Sequence, residues 1–211
     1  MTTKKRPPVT AAELAKKLQA APEFLAKKKA QDQERLERSA RIRADAEPIL
    51  RELREVGWDV QSVWDLVNVT TPYPEAIPIL IKHLQLSYSD IVREGVARSL
   101  AVPDPQVQKA WPLLVEQYRK APMGWGIKAP GDTKEYRLGA KDGLACALSV
   151  AVTEETLPEL IALAKDRSYG ESRVLLLSAL RKIRNKNPLA KEAIKELASD
   201  PDLEKEITSW R

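Results

Sequence analysis

The chain has 211 residues, 43% of them hydrophobic and 31% charged, and a formal net charge of +5. That is enough for one domain with a substantial core, and no run approaches the roughly 18–20 apolar residues that span a membrane. A single cysteine, Cys146, rules out an internal disulfide and fits a reducing compartment.

The opening MTTKKRPPVT lacks an apolar core after its basic residues, so no secretory signal is expected; residues 1–9 read as disordered. Thr10 with Glu13 forms a capping box for a short helix over 11–20. Pro22 suits the first turn of a long helix reaching about residue 46. Its middle, KKKAQDQERLERSARIR, is polar nearly all round, with only Ala26, Ala30, Leu36 and Ala40 as a thin apolar stripe. Pro48 is expected to interrupt that helix or to open the next, which ends at Gly57. The positive charge belongs to this region. Residues 1–57 hold 14 Lys and Arg against 9 Asp and Glu, whereas residues 58–211 hold 21 of each.

DVQSVWDLVN (59–68) reads as a short helix burying Val60, Val63, Trp64 and Val67, and TTPYP breaks the chain before a repeating section. There a phrase with Pro at a fixed offset recurs as AIPILIKHL (76–84), AWPLLVEQY (110–118) and TLPELIALA (156–164). Each is followed by a second phrase: VREGVARSL (92–100), AKDGLACAL (140–148) and SRVLLLSAL (172–180). Pro78 to Gly95 and Pro158 to Leu175 each span 17 positions, while Pro112 to Gly143 spans 31. The middle pair therefore carries 14 extra residues, within 120–138. A shared offset for Pro78, Pro112 and Pro158 implies a common first-turn position or a common kink. Pro188–Ala198 and Pro201–Trp210 form a shorter, more charged terminal pair, as a cap requires.

These paired phrases, with Pro in the first helix and a basic residue near the start of the second, resemble HEAT or armadillo-type repeats over about residues 74–211. The phrases VWDLVN…PYPEAIPILIKHL and KDGLACALS also resemble a group of uncharacterised bacterial HEAT-repeat proteins, which implies a bacterial cytoplasmic setting. The expected fold is all-α: an α-α superhelix, or HEAT-like solenoid, with a long N-terminal helical extension. Its divisions are a basic helical arm (1–57), a capping helix and connector (58–73) and the repeat domain (74–211). Such a scaffold implies a non-enzymatic protein-binding adaptor using its concave face and the inserted loop. Neither a cofactor nor a metal is expected, nor contact with a membrane; the oligomeric state stays open.

Candidate contact residues fall in two groups. The insertion places Trp125 between Gly124 and Gly126, with Met123, Ile127, Tyr136, Lys128, Lys134 and Arg137 nearby. Trp125 is either an exposed anchor, a residue type that dominates interfaces, or a plug for the wider groove beneath a long loop. Arg93, Lys141 and Arg173 share the basic offset of the repeats. They form either a structural ladder reaching carboxylates and helix-end carbonyls or a basic row for an acidic partner, with acidic Glu94 and Asp142 alongside.

His83, the only histidine, is placed on a polar or boundary face without metal-binding company. Cys146, between two alanines, reads as a buried inert thiol. The alternative function is nucleic-acid binding through the basic arm. A HEAT-like alkylpurine DNA glycosylase would use Trp with Asp, and Trp125 and Asp132 share a loop here, but the body is neutral.

Overall fold

Local sequence signals set most helix boundaries in the computed structural model, which describes residues 10–210. The chain is 66% helix and 3% strand. It divides into two compact units, one ending at Ala40 and one running from Arg41 to Arg211.

In the first unit, α1 (Ala11–Ala20) starts at the expected capping box: Glu13 N–H donates to Thr10 Oγ1 at 3.3 Å, and Thr10 N–H to Glu13 Oε2 at 3.1 Å. The long helix α2 (Pro22–Glu55) carries local pairs such as Arg38–Glu34 at 3.1 Å and Arg35–Asp32 at 3.4 Å. Leu36, on the thin apolar stripe, is 61% exposed.

One expectation fails along α2. Pro48 neither ends the helix nor opens a new one. An internal proline costs about 3 kcal/mol. In the same segment Ile49, Leu50 and Leu53 are wholly buried and Ala46 nearly so, and burying each large aliphatic returns about 1.5–3 kcal/mol. Packing outweighs the lost hydrogen bond, so the helix continues. It ends at Gly57 (φ 90°) in a Schellman turn: Trp58 N–H donates to the Leu53 carbonyl at 2.9 Å and Gly57 N–H to that of Arg54 at 3.0 Å.

The short helix α3 (Val63–Val67) is capped by Ser62, whose Oγ accepts from Trp64 N–H while Asp65 accepts from Ser62 N–H. It buries Val63 and Leu66; Val67, expected inside, is 38% exposed, and Val60 and Trp64 are half-buried. The paired helices follow: α4 (Ile77–Leu84) with α5 (Asp90–Ser99), α6 (Pro105–Lys109) and α7 (Trp111–Lys120) with α8 (Ala140–Ala151), and α9 (Leu157–Lys165) with α10 (Arg173–Ile183). The pair α11 (Pro188–Leu197) and α12 (Glu204–Thr208) closes the chain. Pro78, Pro112 and Pro158 all sit in the first turn of their helices, where a missing N–H breaks no bond, so the shared offset marks helix starts and not kinks.

Packing within this unit is serial. α3, α5, α8 and α10 pack in that order, each on the next, while α4, α7 and α9 pack against α5, α8 and α10 respectively. One continuous core runs from Ala46 to Trp210. Gly143 permits the α5–α8 approach, since a Cβ there would lie 2.9 Å from the Glu94 carbonyl oxygen and 3.1 Å from Ala97 Cβ. Among the described residues no helix is long and apolar enough to cross a membrane.

Candidate functional site

The 14 extra residues are not a plain loop. They fold as an antiparallel hairpin, β1 (Trp125–Ile127) against β2 (Glu135–Arg137), with Trp125 opposite Arg137 and Ile127 opposite Glu135. Alternation puts Trp125, Ile127, Glu135 and Arg137 on one exposed face, while Gly126 and Tyr136 lie on the half-buried one. Leu138 packs on Gly126, where an added Cβ would lie 2.9 Å from a Leu138 methyl.

Both ends of the hairpin are tied down. At its tip Asp132, only 8% exposed, accepts from Arg41 of α2 at 2.7 Å, next to Gly131 (φ 81°). At its base Arg137 pairs with Glu171 at 2.6 Å, and the Leu138 N–H donates to the Gly124 carbonyl at 2.9 Å.

Trp125 is not a plug. It is 70% exposed, with Ile127 at 55% and Met123 at 49% beside it, and Met123 leans on Gly170. Lys128 is half-buried with its ammonium 5.4 Å from the centre of the Tyr136 ring; Lys134 is exposed. Between the hairpin base and the starts of α8 and α10 lies a cleft of about 410 Å³ lined by Trp125, Arg137, Asp142 and Glu171, among others. A second, more open depression of about 450 Å³ is lined by Arg137, Asp142, Glu171, Val174, Leu175 and Asp202.

The three basic ladder residues turn largely inward, although Lys141 also lines the cleft. Lys141 and Arg173 are buried and do not present charge to solvent, which corrects their candidacy as partner contacts. Lys141 Nζ donates to the Tyr118 carbonyl at 2.7 Å and sits 4.9 Å from the ring centres of both Tyr118 and Tyr169. In a continuing helix the Tyr118 carbonyl would receive the N–H of residue 122, but that residue is Pro122. Lys141 supplies the missing donor. Burial lowers the Lys141 pKa, and it pushes the Tyr118 phenol up to about 12 against a 2.9 Å hydrogen bond with Ser172.

Arg173, fully buried, donates to the Ala164 and Gly170 carbonyls, to Asp200 at 2.8 Å and to Asp202 at 2.8 Å. Arg93 is half-buried and reaches Gln117 at 3.0 Å. Each ties one helix to the next.

Two further placements differ from expectation. His83 is buried, 2% exposed, with Nδ1 2.7 Å from the Tyr88 hydroxyl and Nε2 3.3 Å from Glu52. Cys146 is half-buried, not buried; burial pushes its thiol pKa up, and Arg98 lies 3.6 Å away. Asp132, considered beside Trp125 as a base-excision pair, is instead held at the far end of the hairpin under Arg41.

Sequence reasoning missed Asp90 and Glu171, and named Asp142 only as an acidic neighbour of the basic row. Asp90, in the first turn of α5, accepts the Gly139 and Ala140 amides at 2.6 and 3.2 Å and so caps α8 from a neighbouring pair. No local pattern announces a cap from 50 residues away. The hairpin did leave a trace, with Gly131–Asp132 between WGI and EYR.

Comparison with protein-family models, with curated proteins and with solved structures returns no match.

Proposed function

We propose that the protein is a non-enzymatic protein-binding module, a HEAT-like superhelix of helix pairs acting in the cytoplasm and engaging its partner through the inserted hairpin. The superhelix is supported by the serial packing of α3, α5, α8 and α10 and by the recurring first-turn prolines. The observation that carries the binding role is the exposure of Trp125 and Ile127 together on one hairpin face. Large apolar side chains stay in water at a cost unless a partner covers them. The hairpin is fixed at tip and base, so little ordering entropy opposes association.

Nucleic-acid binding through the arm has weaker support, because Arg35 and Arg38 there are already paired with Asp32 and Glu34. The test is affinity capture from the source cell with the full chain and with Trp125→Ala. Truncating an interface Trp costs about 2 kcal/mol or more, roughly 30-fold in affinity. The proposal expects a discrete protein partner that the variant loses. Equal capture by both proteins rejects it, as does retention on DNA that falls steeply with salt in the absence of a protein partner.

A further inference from the structure

The outer edge of β1 is left with unused main-chain groups. The Leu138 N–H donates to the Gly124 carbonyl at 2.9 Å, one step beyond the Trp125–Arg137 pair. Hydrogen bonding in an antiparallel pair falls on every second residue, so the next bonded pair is Gly126 with Tyr136. The N–H and C=O groups of Trp125 and Ile127 therefore point away from β2. Among the described residues no third strand joins the sheet, and none of these groups has a hydrogen-bond partner.

Proteins usually blunt such an edge with charge or proline. β2 carries Glu135 and Arg137, whereas β1 reads Trp-Gly-Ile. Between Lys120 and Asp132 the one ionisable residue is Lys128, and its ammonium is drawn to 5.4 Å from the Tyr136 ring centre. Pro122 and Pro130 bracket the stretch and confine any added strand to residues 123–129.

The pattern of β1 complements itself. A second β1 laid antiparallel and centred on Gly126 sets Trp125 opposite Ile127 of the second copy, and the reverse. Every outward N–H and C=O of those residues then finds a partner. Opposed residues share a face, so two aromatic–β-branched pairs form, a combination that favours strand pairing. Lys128 falls opposite Gly124 of the second copy. The two Lys128 are then four residue rises apart, about 13 Å, beyond the screening length of about 8 Å at physiological salt. Each copy uses its uncharged edge and leaves the charged β2 outward, so the pair closes about a two-fold axis and does not grow.

We infer that a second copy of the chain pairs antiparallel with the outer edge of β1, through the main-chain groups of Trp125 and Ile127, forming a four-stranded sheet. The edge is distinct from the side-chain face proposed to meet the partner, so pairing doubles that face and does not cover it.

Sedimentation equilibrium of the full chain reads the mass, and amide exchange by NMR reads the edge. With rising concentration the mass is expected to climb from 23.6 kDa towards twice that value. The Trp125 and Ile127 amides should exchange about tenfold more slowly in the dimer, while Gly126, already bonded to Tyr136, changes little. Ile127→Pro deletes an outward N–H without touching the hairpin ladder and is expected to stay monomeric. Should that variant lose the hairpin, the wild-type amide pattern decides alone. A monomer at every concentration overturns the inference, as does a dimer whose Trp125 and Ile127 amides exchange as in the monomer. A folded Ile127→Pro that dimerises like wild type overturns it too, as does slowing of those amides only when a different protein is added. A monomer that captures a partner through Trp125 leaves the proposed function standing. A dimer paired at this edge that captures nothing further keeps the inference and removes the proposed function.

Discussion

Replacing Arg173 separates a structural ladder from a binding row. Arg173→Met keeps most of the side-chain volume and removes four hydrogen bonds, two to carboxylates and two to the Ala164 and Gly170 carbonyls. Breaking a buried ion pair from one side costs about 3–5 kcal/mol. The lower end applies here, because Arg167 stays 3.1 Å from Asp200 and Asp202 is half-exposed. A loss of about 3 kcal/mol corresponds to a drop of roughly 6–12 °C in melting temperature for a chain of this size, read by circular dichroism at neutral pH.

The pH arm has a definite sign. The Arg173 hydrogen bond holds the Asp200 carboxyl down from 3.8 to about 2. Its stabilisation is therefore complete above about pH 3.8 and lost as the pH falls through about 2. The gap between wild type and Arg173→Met should narrow across that window, since a protonated Asp200 no longer needs a cation. A drop below roughly 3 °C at neutral pH, or a gap unchanged down to pH 2, refutes the structural reading of the ladder.

Gly143→Ala forces a methyl against the Glu94 carbonyl and should cost about 1–3 kcal/mol by urea denaturation. Asp90→Ala removes the acceptor for two α8 amides and should cost about 0.5–2 kcal/mol, with faster amide exchange at Gly139 and Ala140. Asp142→Asn should raise the melting temperature at pH 7, because a group whose folded pKa is raised loses stability as the pH climbs past its unfolded value; a fall would mean that the carboxylate has a structural partner. Trp125→Ala, at a site 70% exposed, should move the unfolding free energy by less than about 0.5 kcal/mol while abolishing partner capture.

What could be read directly from the sequence is what the backbone decides within a few residues. The Thr10–Glu13 box, the Schellman turn at Gly57 and the first-turn prolines Pro78, Pro112 and Pro158 are local bargains between a side chain and nearby amides or carbonyls. Their 17-residue recurrence announced paired helices, and the 31-residue interval located the insertion. Pro48 shows the limit of that local logic, because the burial of Ile49, Leu50 and Leu53 overrides it. Tertiary structure alone decided that Trp125 faces solvent, that Asp132 is held under Arg41, and that Lys141 and Arg173 point inward. It also decided that Asp90 takes over the capping of α8 and leaves Asp142 facing the cleft. Each depends on groups tens of residues apart whose meeting is fixed by how the helices pack, and helical spacing carries no record of it.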